Sequence, residues 1–193
     1  MTKIGFICEG RTEQIFLQSN AFGKLLASFN LESLPVIDAG GSGNLLPHNI
    51  QGYLSRLEKE GAKAIIILTD LDEDICIIET KNRISAREKD IVVIAVKKIE
   101  AWFLACTPTM QQLLSQPGFN FSNPENEKDP FETINGLLIK HKGRGIGKKT
   151  AGKIKLATRM MEMGFELSSA AAHTGCPSAK YLLGKLVEIG NTF

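Results

Sequence analysis

Apolar residues along the chain alternate between two periods. Lys3-Ile-Gly-Phe-Ile-Cys8 is a short, mostly apolar run and reads as a first strand. Ile15, Phe22, Leu25, Leu26 and Phe29 then recur at helical spacing, which predicts one amphipathic helix from Thr12, a candidate N-cap, to about Phe29. Leu34–Asp38 reads as a second, shorter strand, and residues 45–60 as a helix stopped by Gly61. Ile65–Leu68 is an unbroken, largely β-branched run, as expected of a strand buried on both faces of a parallel sheet. A helix through Ile75–Ile78 to about Ser85 follows, and Ile91–Val96 makes a fourth strand. The repeated strand–helix order predicts an α/β fold with a doubly wound, mainly parallel sheet of about four strands.

The second half reads differently. Pro108, Pro117 and Pro124 punctuate residues 107–129, which predicts a linker with little regular structure. Three helices are expected beyond it, over about 131–141, 148–163 and 178–189, with Pro177 suited to the first turn of the last. The expected organisation is an α/β core over residues 1–106 and a linker with a basic helical subdomain over 107–193.

Carboxylates mark the expected strand ends. Asp70 and Asp72 close the third strand, Glu9 follows the first, and Glu100 follows the fourth, beside Trp102, Phe103 and Leu104, which read as core. Glu13 falls in the first turn after Glu9, where it either turns back toward Glu9 or sits favourably against the helix dipole. Gly10 is expected to permit a tight strand-to-helix turn. Each acid alone is compatible with a solvated loop. Ligands of open α/β sheets, however, bind outside the carboxyl ends of the strands. Several acids at one such edge repel unless a cation or shared protons offset them. Oxygen ligands suit a hard cation such as Mg²⁺, with Mn²⁺ as a substitute.

Charge sharpens this picture. Between Thr133 and Met161 there is no Asp or Glu but eight Lys and Arg; removing that +8 from a net +2 leaves the remainder at −6. Such asymmetry suggests a polyanion for the basic segment and a cation for the acidic part. Within it, Gly145-Ile-Gly-Lys-Lys149 is not a P-loop, because the glycine spacing and the Lys-Lys-Thr order differ. It resembles the hairpin of helix-hairpin-helix nucleic-acid-binding modules. In that resemblance, amides of Gly145 and Gly147 meet a phosphate, with Lys148, Lys149 and Lys153 adding charge. A glycine-rich turn before a solvated basic helix fits the same residues. Gly40-Gly-Ser-Gly-Asn44 does not complete a dinucleotide fingerprint.

Composition limits other classes. At 193 residues and 43% hydrophobic, the chain can bury an ordinary core. No apolar run approaches the roughly 20 residues of a membrane span, and Met1-Thr-Lys-Ile4 leads straight into a strand, so neither a membrane association nor a signal peptide is expected. Cys8, Cys76, Cys106 and Cys176 are far apart, which suits a cytosolic protein with reduced thiols. His48, His141 and His173 lack metal-ligand spacing.

Glu9-Gly-Arg-Thr-Glu13, Asp70-Leu-Asp72 and Ile99-Glu-Ala-Trp102, in that order over residues 1–106, resemble the motifs of a Toprim domain. Toprim is the metal-binding α/β domain of topoisomerases, bacterial primases and overcoming-lysogenization-defect (OLD) nucleases. The motif forms are most similar to a bacterial Toprim-like family known only as a domain of unknown function, and Cys176-Pro-Ser178 before the last helix fits that family less specifically. The resemblance implies Mg²⁺-dependent chemistry on nucleic-acid phosphodiesters, DNA or RNA. It implies Glu9 as general acid/base or metal ligand, Asp70 and Asp72 as the metal-binding pair with a catalytic role, and Glu13 and Glu100 as further metal ligands. Five carboxylates suffice for two ions. Tyr53 and Tyr181 lie outside the acidic motifs, so water is the expected nucleophile. Likeness to the OLD group implies a separate ATPase as a possible partner, since this chain shows no ATP-binding motif. Two alternatives stay open. One is a haloacid-dehalogenase-type phosphatase with Asp70 as nucleophile, although Asp74 stands where Thr or Val is expected. The other is a non-catalytic nucleic-acid-binding or partner module.

Overall fold

The computed structural model describes residues 1–72, 74, 76–84, 87 and 89–192, with the backbone but not the side chain of Lys149. Glu73 of the acidic stretch, and Ile75 and Ser85 of the helix expected after it, lie outside the described residues. Five parallel strands form one sheet: β1 (Thr2–Cys8), β2 (Leu31–Ser33), β3 (Ile37–Asp38), β4 (Ala64–Asp70) and β5 (Ile91–Ala95). The order is β2-β1-β4-β5, with β3 also on β1. Of the strand expected over Leu34–Asp38 only Ile37–Asp38 forms, and an unexpected strand, Leu31–Ser33, precedes it. Leu31–Ser33 pairs with the start of β1 and Ile37–Asp38 with its end. Pro35, which has no N–H to give a ladder, stands between them.

The continuous apolar strands are buried on both faces. Ile4, Phe6, Ile66, Leu68 and Val93 join one core cluster, and Ile7, Ile65, Ile67, Val92 and Ile94 the other. The second cluster is closed by Ile50, Leu54 and Leu57 of α3 (Pro47–Lys59) and by Ile84 of α4 (Ile77–Ile84). The first is larger. It draws in α1 (Arg11–Leu17) and α2 (Asn20–Ser28), α5 (Glu100–Ala105) and α6 (Thr107–Leu114). It also takes in α7 (Pro130–Lys142), α8 (Lys149–Glu162), α9 (Leu167–Ala172) and α10 (Pro177–Thr192). Phe16 and Trp102 meet edge to face at 5.9 Å, as do Phe103 and Phe165 at 5.1 Å. One body of apolar side chains therefore runs from the sheet into the C-terminal helices.

Three local expectations are corrected. The single helix from Thr12 to Phe29 is two helices, because Ser19 is extended and its Oγ accepts from Phe22 N (3.2 Å), starting α2 afresh. Thr12 does not cap. The N-cap is Gly10, with φ −158°, an extended backbone open to any residue, so glycine is not required there for the turn. Residues 107–129 are not a structureless linker. Pro108 sits in the first turn of α6, where no N–H is lost to the helix, and Pro124 opens a short 3₁₀ turn, Pro124–Asn126. Among the described residues, no helix is long and apolar enough to cross a membrane.

Candidate active site

The strand order sets β1, β4 and β5 side by side, so the residues at their carboxyl ends share one edge. Glu9 leaves β1 and continues the ladder through Glu9 N to Leu68 O (3.0 Å). Its Oε2 accepts from Thr69 Oγ1 (2.6 Å) and, at 3.4 Å, from Asp70 N. Asp70 ends β4, and its Oδ1 accepts from Ile99 N (2.9 Å) just before α5. The β4–β5 ladder runs on beyond the strands through Leu71 N to Ala95 O and Asp72 N to Lys97 O, both 2.9 Å. Asp72 and Lys97 both take left-handed backbone, φ 48° and 63°. Asp tolerates this readily, whereas for Lys it is uncommon. These paired reversals aim Ile99 N at Asp70 and start α5 with Glu100 turned inward.

Glu13, in the first turn of α1, is 5% exposed, and Glu100 is 1% exposed. Among the described residues, neither Glu100 Oε1 nor Oε2 has a hydrogen-bond partner. Lys153 Nζ stands 3.6 Å from Oε1. Lys153 stands on α8, which packs against α1, so the basic helix lies over the acidic sheet edge. The hairpin resemblance put Lys153 in the nucleic-acid-binding set; only packing reveals that its ammonium lies beside Glu100 of the acid cluster. Asp72 is the rim of the group: its side chain is half exposed, with Lys98 Nζ 3.9 Å away.

The electrostatics follow from this crowding. Burial, reinforced by the charges of Glu100 and Glu9 against the pull of Lys153, raises Glu13 to about 8. Burial also raises Asp70 well above the ordinary carboxylate range, with the fields of Glu13, Glu100, Glu9 and Asp72 adding to it. Glu100 is raised by burial despite Lys153 and Lys98. Burial alone would lower Lys153, but Glu100, Asp70, Asp129 and Asp72 more than compensate and hold it charged. Among the described residues, no three carboxylate, thiol or imidazole groups are already arranged as a ligand set. Five carboxylates nonetheless gather here, two of their oxygens are buried and unpartnered among the described residues, and burial raises Glu13, Asp70 and Glu100 above the ordinary carboxylate range. That donor set fits a hard divalent cation, whose charge would offset the repulsion.

The hairpin residues are brought together elsewhere on the same helix pair. α7 ends at Gly143 (φ 71°), and six residues turn the chain into α8. Asn135, buried on α7, accepts from Ile146 N at Oδ1 (2.9 Å), and a Cβ on Gly145 would overlap that oxygen. Gly147 takes φ 125° and packs on Gly152, where a Cβ would stand 2.8 Å from Gly147 C. Lys148 is exposed at the start of α8; the Lys149 side chain is outside the described atoms.

Several supporting residues escaped the sequence reading. Thr69 orients Glu9, and Asn135 pins the hairpin. Ser178 Oγ accepts from Trp102 Nε1 (2.7 Å) and Val96 N (3.3 Å) and donates to Glu125 Oε1, which also accepts from Ser178 N (2.9 Å). Trp102, two residues past Glu100, and the Cys176-Pro-Ser178 motif were the only sequence signals for this tie. Cys8 and Cys176 are buried, which pushes both thiols up and leaves them unreactive.

No curated protein matches the chain. Among solved structures, it is similar to the C-terminal region of the Burkholderia pseudomallei OLD protein, with a TM-score of 0.45 and 13% identity over 97% of this chain and 99% of that one. Over residues 8–186 the sequence matches the family described as Domain of unknown function (DUF4276), which spans both the acidic sheet edge and the basic helices, and the chain belongs to that family.

Proposed function

We propose that the protein is a Mg²⁺-dependent hydrolase of nucleic-acid phosphodiesters, working at the edge formed by Glu9, Glu13, Asp70, Asp72 and Glu100. The observation that carries this reading is Glu100: a buried carboxylate with neither oxygen hydrogen-bonded, among other carboxylates and facing a lysine. A buried carboxyl left unsatisfied costs a fold several kcal/mol, so its retention points to an occupant. Asp70, Asp72, Glu13 and Glu100 would hold the cation, which supplies positive charge at the phosphate and at the oxygens that enter and leave. Glu9, steadied by Thr69, has Oε1 free of those bonds and is placed to take a proton from the attacking water. Lys153 is placed to neutralise a phosphate oxygen, since the carboxylates around it keep it protonated. The α8 surface beyond carries positive charge suited to a polyanion.

The test is a calorimetric titration of Mg²⁺ and Mn²⁺ into wild type and Asp70→Asn/Asp72→Asn, followed by DNA and RNA cleavage assays. Wild type is expected to bind the cation and cleave; the double variant is expected to lose binding and at least about 100-fold of the activity. Metal-dependent cleavage that is unchanged in the double variant would sink the assignment.

A further inference from the structure

A second basic feature lies apart from the acid cluster. Between the end of α7, the 143–148 turn and the far half of α8 is a cavity of about 190 Å³. It is lined by Leu138, Lys142, Arg144, Gly145, Ile146 and Arg159. Three of its six walls are cations, from three successive elements, and among the described residues no carboxylate lines it. Like charges do not gather around a concavity without cost. Here the turn is held in place by Asn135 through Ile146 N, so Arg144 is carried on a fixed backbone. Lys142 is steadied by Ser115, to which its Nζ donates. Two arginines and a lysine lining a hollow of this size suit a tetrahedral oxyanion with several acceptor oxygens.

We propose that this cavity holds one backbone phosphate of a nucleic-acid strand and thereby sets where that strand crosses the acid cluster. Its three cations, Lys142, Arg144 and Arg159, are not among the hairpin residues Gly145, Gly147, Lys148, Lys149 and Lys153, although Gly145 lines the cavity. Arg159 stands six residues beyond Lys153 on α8, about 9 Å along the helix axis. The position of the cut relative to the anchor rests on the function proposed above; the anchor itself does not.

The experiment is equilibrium binding of a fluorescent single-stranded oligonucleotide, in chelator, across a salt series. It compares wild type with Lys142→Gln/Arg144→Gln/Arg159→Gln and with a charge-matched control, Lys24→Gln/Lys59→Gln/Lys180→Gln. All six positions are exposed, and matching far-UV spectra and melting curves confirm the folds. One shared phosphate predicts an affinity loss of about tenfold or more and a fall of about 0.7 in the slope of log K against log salt. Three separate contacts would lower the slope by about 2 and would overturn the single-pocket assignment. Affinity and slope equal to those of the control would overturn it as well. So would a response confined to inorganic phosphate: shifts at Arg144 and Arg159 on adding it, with oligonucleotide binding unchanged by the substitutions, would mean a free-anion site. Because no metal or cleavage enters the measurement, failure of the hydrolase reading leaves this result interpretable.

Discussion

Two buried glutamates in this protein are treated in opposite ways. Glu125 is 7% exposed, and one of its oxygens receives both the N–H and the hydroxyl of Ser178, which in turn receives Trp102 Nε1 and Val96 N. Glu100 is 1% exposed and, among the described residues, receives no hydrogen bond. The two lie in the same core, near the same tryptophan. The fold can therefore supply donors to a buried carboxylate in this region, and at Glu100 the described residues supply Lys153 at 3.6 Å instead. Asp90, at the other end of the sheet, follows the Glu125 pattern: both its oxygens take the Arg87 fork, at 2.8 and 2.7 Å. Satisfied carboxylates here tie elements together. The unsatisfied one sits where strands end and acids converge.

The contrast can be broken most directly at Glu125. Glu125→Ala strips the acceptor from two buried donors and is expected to cost about 3 kcal/mol, a fall of roughly 6–12 °C in a thermal melt. A melt within a degree or two of wild type would show that the Ser178 tie contributes little, and the contrast with Glu100 would lose its structural half.

The acid cluster should reveal its strain through pH. Glu13 sits at about 8 in the folded protein against an ordinary 4.5, so between those values the native state holds a proton that the unfolded chain has released. Stability is then greatest below about 4.5 for this group and declines as pH rises toward 8. In chelator the decline amounts to at most about 1.4 kcal/mol per pH unit inside that window. Glu13→Gln should flatten the curve. Wild-type and variant melts that keep the same pH dependence would remove Glu13 as its source.

A smaller effect sharpens the same point. A cation needs the carboxylates deprotonated, so its binding releases protons and strengthens with pH. At a fixed concentration equal to five times its Kd at pH 7, Mg²⁺ should add about 1 kcal/mol of stability there, and the rise in melting temperature should be larger at pH 8 than at pH 6. An equal rise at both would place the bound cation outside the proton-holding cluster.

Much of this was legible in the sequence. Continuous β-branched runs such as Ile65–Leu68 mark strands buried on two faces, and acids just past such runs lie at the carboxyl edge of a parallel sheet. Glu9, Asp70 and Glu100 could therefore be placed together before any coordinates. Prolines were the main source of error. Pro108 and Pro124 read as breakers but occupy first turns, because the composition around a proline does not say whether its missing N–H was needed. Pro35, inside the strand expected over Leu34–Asp38, lies instead between two short strands.

The sequence by itself determined the alternation of strands and helices, the acids at their ends, and the opposed charge of the two halves, since these depend on local period and residue type. Only the tertiary structure decided which of those charges meet. Lys153 is 53 residues from Glu100, and Ser178 is 53 from Glu125; neither pairing has a local signature. The packing of α8 on α1 brings the first pair together, and the packing of α5 on the 124–126 turn and of α10 on β5 the second, because burial of a shared apolar core chooses the partners and the polar groups must accept the neighbours it brings.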